Sequence, residues 1–314
     1  MSIHHFSRKT FILIAALVLV TGCARSKPQP DAVMDTLVTP EWLSQHLDDP
    51  DLVVLDCTVR VEPNEDGTVQ ILSGRNDYEG GHIPSAGFAD LVDDLSDSES
   101  PLMFAVGTPE QFCAAMGALG VGDDTRVVLY DGNNSVWAAR VWWMLRWVGF
   151  DHAALLDGGL GAWTAEGRPL TSEPTNRPAK QLTPNPRPEL IADRDEVFAA
   201  IDNSAVSIVD TLPEASYRGE MAMYGRPGHI PGAVNIPAFS LLDESGRYLP
   251  RGELAAIFDG DRSARTITYC GGGIAASSDA FVMTRLGFTD VAVYTASLQE
   301  WVADPANPMV VEMP

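Results

Sequence analysis

Positive charge is scarce in this chain: 21 lysines and arginines stand against 43 aspartates and glutamates, for a formal net charge of −22. A surface of that sign repels nucleic-acid phosphates, so a role that tracks DNA or RNA is excluded; the acidity serves solubility and names no basic partner. Cysteine is sparse as well, four in 314 residues. No Cys/His group has metal-ligand spacing, so no metal is expected; no cofactor is expected either. Long apolar runs are missing outside the N-terminus. There Arg8-Lys9 leads into the apolar residues 11–20, too short to cross a bilayer and read as a secretory signal. What the chain does have is 45% hydrophobic residues over a length that fits about two domains.

The sequence Val20-Thr21-Gly22-Cys23 resembles the bacterial lipobox, in which the cysteine becomes the lipidated first residue of the mature chain. The expectation is a signal peptide over residues 1–22 and a tether over 23–36, with Pro28 and Pro30 keeping it extended. The protein would be membrane-anchored at Cys23, on the periplasmic side or cell surface. Loss of Arg8 and Lys9 takes the formal charge from −22 to −24. Cys57, Cys113 and Cys270 remain, an odd number that leaves at least one thiol unpaired. Cys57 follows a strand-like run and Cys113 lies in the helix-like segment 109–119. Both read as core fillers, and a Cys57–Cys113 bridge stays open for an oxidising compartment.

An internal repeat sets the architecture. Gly81-His82-Ile83-Pro84-Ser85-Ala86 returns as Gly228-His229-Ile230-Pro231-Gly232-Ala233. In the same order, an apolar strand ending in Tyr130-Asp131, a helix-length segment, Gly149-Phe150 and the strand-like 153–156 return. Their counterparts are the strand ending in Tyr269-Cys270, a helix through Phe281 and Leu286, Gly287-Phe288 and the strand-like 291–294. The spacing of about 140 residues is far longer than a solenoid unit, so each copy is a domain. The boundaries drawn are 37–172 and 189–314, joined by an extended linker over 173–188 that carries Pro174, Pro178, Pro184, Pro186 and Pro188. Short strands alternating with helix-length segments predict an α/β fold, a parallel sheet in each domain flanked by helices on both faces. Trp137, Trp142, Trp143 and Trp147 read as packing against the other domain, and His82 and His229 as anchors of a turn before a strand.

Cys270 is the residue with chemistry to explain. The strand 266–269 runs into Cys270-Gly271-Gly272-Gly273 and then a helix. Three glycines let the backbone wrap one point, and the first helical turn aims its unpaired N–H groups at the same place, which makes a cradle for an anion. A cradle of that kind favours the thiolate, the nucleophilic form. Asp131 occupies the matching place in the first copy, and a carboxylate cannot accept and pass on sulfur. One active and one inactive domain are therefore expected.

These residues resemble the tandem-domain rhodanese family of thiosulfate and 3-mercaptopyruvate sulfurtransferases, from about residue 39 to the C-terminus. The resemblance rests on both Gly-His-Ile-Pro-x-Ala segments, the run Leu156-Asp157-Gly158-Gly159-Leu160-Gly161-Ala162-Trp163, and the Cys270 loop. It implies two rhodanese-like domains, a nucleophilic Cys270, and a six-residue loop whose backbone N–H groups point at the sulfur: Cys270, Gly271, Gly272, Gly273, Ile274 and Ala275. The implied activity moves a sulfane sulfur from thiosulfate to cyanide or a thiol through a Cys270 persulfide. A 3-mercaptopyruvate donor, or a persulfide carrier or binding protein with little small-molecule turnover, are the alternatives. The partners implied are these small molecules and, through Cys23, a membrane; a monomer is expected. Thiosulfate-type loops carry cations after the cysteine where this chain has Gly271 and Gly272, and the mercaptopyruvate type has serine at Gly272. Leu212 stands where the family commonly has a substrate arginine, which leaves Arg218 and Arg226 as the candidate donor-binding cations. Ala276, six residues after Cys270, removes the arginine clamp that a cysteine phosphatase of related fold needs.

Overall fold

A computed structural model describes residues 1–2, 34–64, 69–132 and 134–312; the apolar segment 11–20, Cys23 and most of the tether lie outside them. The N-terminal domain runs β1 (Leu37–Val38), α1 (Pro40–His46), β2 (Leu52–Asp56), β3 (Val59–Pro63), β4 (Val69–Ser73), α2 (Arg75–Gly80), β5 (Ala86–Phe88), α3 (Pro109–Ala118), β6 (Arg126–Tyr130), α4 (Val136–Trp147), β7 (Ala153–Leu156) and α5 (Gly159–Ala165). The C-terminal domain follows with β8 (Ile191–Ala192), α6 (Arg194–Ala200), β9 (Val206–Asp210), α7 (Glu214–Arg218), β10 (Ala233–Asn235), α8 (Arg251–Ile257), β11 (Arg265–Tyr269), α9 (Ile274–Leu286), β12 (Val291–Tyr294) and α10 (Ser297–Trp301).

The two sheets are the same sheet built twice. One has strand order β1-β7-β6-β2-β5 and the other β8-β12-β11-β9-β10, and every pairing in both is parallel. The central strands are short apolar runs buried along nearly their whole length, as strands covered on both faces must be. The copies differ at β3–β4, an antiparallel hairpin that only the first domain inserts after its β2.

Local signals start the helices. Thr39 accepts from the Trp42 N–H at 3.1 Å with Pro40 at the first helical position. Thr108 and Gln111 form a reciprocal capping box ahead of α3, and Asp193 caps α6 through the Glu196 N–H at 2.8 Å. The repeated Gly-His-Ile-Pro segments have one geometry. His82 Nδ1 lies 2.7 Å from the Tyr78 carbonyl and the ring stacks on Tyr78; His229 does the same with Tyr217 at 2.8 Å. Both histidines fix the turn that feeds β5 or β10.

α4 and α9 are buried on nearly every face, because each lies between its own sheet and the other helix. Trp142 of α4 meets Phe281 of α9 edge-on, with ring centroids 4.8 Å apart at 87°. The tryptophan helix therefore does pack on the other domain, and one apolar core runs through both. The segment between the domains is extended but tied down. Lys180 N–H donates to Gly117 O at 2.9 Å, Asn185 N–H to Val148 O at 2.8 Å and Arg187 N–H to Trp147 O at 2.7 Å, while Thr183 binds both oxygens of Asp123.

Candidate active site

Cys270 follows the last residue of β11 at the place in the sheet where the connectivity reverses. β9 leads outward to β10 on one side, and β11 leads to β12 on the other. Loops at that switch point, beyond the carboxyl ends of the strands, are where open parallel sheets bind ligands. Tyr269 donates to Asp210 at the end of β9, 2.8 Å away, and its oxygen accepts the Ile230 N–H at 3.0 Å. This locks the floor of the site.

The loop is held from several sides. Cys270 N–H donates to Ser297 Oγ at 3.1 Å, and Ser297 donates to the Tyr294 carbonyl at 2.6 Å. The carbonyls of Cys270 and Gly271 accept from Leu298 and Gln299 N–H at 3.1 and 3.0 Å. With its backbone fixed in this way, the Cys270 sulfur accepts the Gly273 N–H at 3.1 Å. Gly273 has φ of 79°, the left-handed conformation that turns the chain into α9 at Ile274 and Ala275. Cys270 is 3% exposed.

Each glycine of the triplet leaves room for a side chain from elsewhere. A Cβ on Gly271 would fall on the phenol of Tyr224, and one on Gly272 would fall on the amide of Gln299. A Cβ on Gly273 would come within 2.8 Å of Thr295 O and 2.9 Å of Arg140 Nη1. Tyr224 comes from the β9–β10 connection, Gln299 from α10, and Arg140 from α4 of the other domain. Gln299 also reaches across the domains, its Oε1 accepting the Met103 N–H at 3.0 Å. Burial raises the Tyr224 phenol, and the nearby sulfur and Asp210 add to that. The glycine triplet, read for its backbone freedom, also marked the space that these three residues fill.

The remaining sequence candidates have partners of their own or are buried. Arg218 pairs with Glu214 at 2.5 Å and is about half exposed. Arg226 donates from Nη1 to the Asp304 carbonyl at 3.1 Å. Leu212 is buried. Cys57 and Cys113 are free buried thiols, and burial pushes both up, Cys113 to about 11. Among the described residues no three His, Cys, Asp or Glu side chains converge to hold a metal.

In the first domain Asp131 follows β6 as Cys270 follows β11. Its Oδ1 accepts the Ser135 N–H at 3.0 Å, and its Oδ2 accepts those of Trp137 and Ala138 at 3.0 and 2.9 Å. The cradle has survived there, and the residue's own carboxylate fills it.

A rhodanese-like domain profile matches residues 39–166 and 193–304, one stretch in each half of the chain. The chain belongs to the rhodanese family. It is 33% identical to a probable 3-mercaptopyruvate sulfurtransferase of Pseudomonas aeruginosa over 87% of this chain and 97% of that one. It is equally 33% identical to a thiosulfate sulfurtransferase of Cricetulus griseus, over 84% and 91%. The crystal structure of SseA from Escherichia coli, described with the catalytic mechanism of 3-mercaptopyruvate sulfotransferases, superposes with a TM-score of 0.74 at 32% identity. It covers 84% of this chain and 99% of its own. This rhodanese is an enzyme of the sulfurtransferase class.

Proposed function

We propose that this rhodanese takes the sulfur of 3-mercaptopyruvate, and more slowly that of thiosulfate, and hands it to a thiol or cyanide through a persulfide on Cys270. The observation that carries the reading is the Cys270 sulfur held by the Gly273 N–H at the switch point of the sheet. The thiolate attacks the donor's sulfur, and the bond from that sulfur to the rest of the donor breaks. The leaving group departs with the electron pair, as sulfite from thiosulfate or as pyruvate enolate, which then takes a proton. The acceptor next attacks the outer persulfide sulfur, and the S–S bond gives its pair back to Cys270. Backbone dipoles fixed in place favour the anionic sulfur in both half-reactions.

The donor order rests on the neutral groups that stand at Gly271 and Gly272. Thiosulfate is a dianion and calls for cations beside the nucleophile, whereas the space at Gly271 and Gly272 is taken by a phenol and a carboxamide. An α-keto acid carries one carboxylate and a carbonyl that such groups can bind. Arg226, two residues from Tyr224, and Arg218 are the cations on the same connection and would hold the carboxylate. Intact mass of the soluble form, before and after each donor, tests the reading. Gain of one sulfur on wild type but not on Cys270→Ser, with kcat/KM larger for 3-mercaptopyruvate, is expected. A single sulfur loaded without turnover would instead make the protein a carrier, and no gain with either donor would overturn the proposal.

The same reading places the enzyme at a membrane surface as a monomer, lipidated at Cys23. The lipobox-like Val20-Thr21-Gly22-Cys23 supports it, and no helix of the described residues is long and apolar enough to cross a membrane. Cys23→Ser should abolish labelling by a fatty-acid probe and release the protein from the membrane fraction; unchanged fractionation would refute the anchor.

A further inference from the structure

Arg140 is an unexpected residue to find behind a nucleophile. It belongs to the inactive domain, lies in the middle of α4, and is 1% exposed. Its Nη2 donates to the Phe104 carbonyl at 2.9 Å, while Nε and Nη1 are buried with no hydrogen-bond partner. A buried cation in that state is costly unless an anion faces it.

The geometry shows which anion. Nη1 lies 2.9 Å from where a Cβ of Gly273 would stand, and the Gly273 N–H itself donates to Cys270 Sγ at 3.1 Å. With standard backbone lengths, Nη1 is therefore no more than about 8.5 Å from the sulfur. Burial draws the guanidinium down to about 10, and a charged sulfur at Cys270 acts in the opposite direction, towards the cation.

We propose that Arg140 is a positioning residue of the active site, the counter-cation that the inactive domain supplies to the anionic sulfur on Cys270, thiolate and persulfide alike. It stands behind the loop, where it makes up for the cations that Gly271 and Gly272 do not carry. The proposal rests on Cys270 being the nucleophile. The other ionisable groups packed around the loop are Tyr224 from the β9–β10 connection, Asp210 at the end of β9, Tyr269 at the end of β11, and Asp279 on α9. Burial raises all four, and none of them is a cation.

Alkylation of Cys270 by iodoacetamide, followed by intact mass from pH 5 to 9 in the full chain, tests this without any sulfur donor. A unit charge at that separation in an effective dielectric of about 20 corresponds to a rate difference of about ten-fold or more. Arg140→Met should be slower by that factor in the acid half of the range and converge with wild type at the alkaline end, where the thiol ionises without help. Arg140→Lys should stay within about three-fold. If Arg140→Met does not fold, Arg140→Gln, which keeps a donor for the Phe104 carbonyl but no charge, takes its place. A folded neutral variant whose rate equals wild type at every pH would overturn the proposal. A chain that alkylates as described but takes sulfur from no donor would instead sink the proposed function and leave the role of Arg140 standing.

Discussion

Gly273→Ala tests the loop at its most constrained point. The residue sits at φ of 79°, where an L side chain costs about 1–2 kcal/mol. The new methyl would also lie 2.8 Å from the Thr295 carbonyl and 2.9 Å from Arg140 Nη1. The first of these is backbone and cannot rotate away, so overpacking adds roughly 1–3 kcal/mol. The lower freedom of alanine in the unfolded chain returns about 0.4–1 kcal/mol. The net expectation is a loss of roughly 2–4 kcal/mol, read as a lower urea midpoint at unchanged slope. Function should fall further than stability alone explains, since the displaced N–H is the one that binds the Cys270 sulfur. A hydrogen bond to a charged group contributes about 1.5–3 kcal/mol. That loss corresponds to alkylation and persulfide formation roughly 10- to 100-fold slower under conditions where the variant is still folded. Gly161→Ala is the matched control: no atom lies within 4 Å of its Cβ and it is exposed on α5, so it should gain about 0.5–1 kcal/mol. A Gly273→Ala protein within about 0.5 kcal/mol of wild type, alkylating at the wild-type rate, would refute this account of the loop.

Other outcomes follow from neighbouring features. Asp131→Ala strands three buried N–H groups at the start of α4 and should cost about 2–4 kcal/mol in urea unfolding without restoring chemistry to the first domain; a neutral result would show that water replaces the carboxylate. Burial pushes Asp56 up to about 6 from an ordinary value of 3.8. A raised folded value means that its contribution is complete below the unfolded value and lost as pH rises through 6, about 3 kcal/mol in all. Asp56→Asn should flatten the stability difference between pH 4 and 8 by about that amount, and an unchanged slope would assign the titration to another group. Trp142→Ala opens the shared core opposite Phe281 and should cost about 3–5 kcal/mol while unfolding remains one transition; two separated transitions would show that the domains are only loosely coupled. Native protein should take one iodoacetamide label, on Cys270: all three thiols are buried, but burial raises those of Cys57 and Cys113, whereas the Cys270 sulfur accepts the Gly273 N–H. Labelling of either in the folded chain would contradict that burial.

The doubled sheet, the turn histidines, the tryptophan packing and the loop that holds Cys270 were legible because each is written in contiguous residues that occur twice or in a local pattern that a backbone must satisfy. The hairpin of β3 and β4 was not, since it has no counterpart in the second copy and its strands are half exposed. Tyr224, Gln299, Ser297 and Arg140 were missed for a different reason: sequence distance hides which side chain enters the space that a glycine leaves open. The glycine triplet carried that information in a form that said a space was taken without saying by what. Arg218 and Arg226 were legible as cations from their place in the chain, but not their partners, Glu214 and the Asp304 carbonyl.

The segment joining the domains bears on how reactants come and go. It is bonded to the first domain at Gly117, Asp123, Trp147 and Val148, so it leaves no slack between the halves, and their apolar core is continuous. The two halves are therefore joined by packing as well as by the chain. Cys270 is 3% exposed, and the pieces next to its loop are short: the Met103 turn clasped by Gln299 and the stretch carrying Tyr224. A two-stroke transfer suits so closed a site, because the sulfur waits on the enzyme while the first reactant leaves and the second arrives.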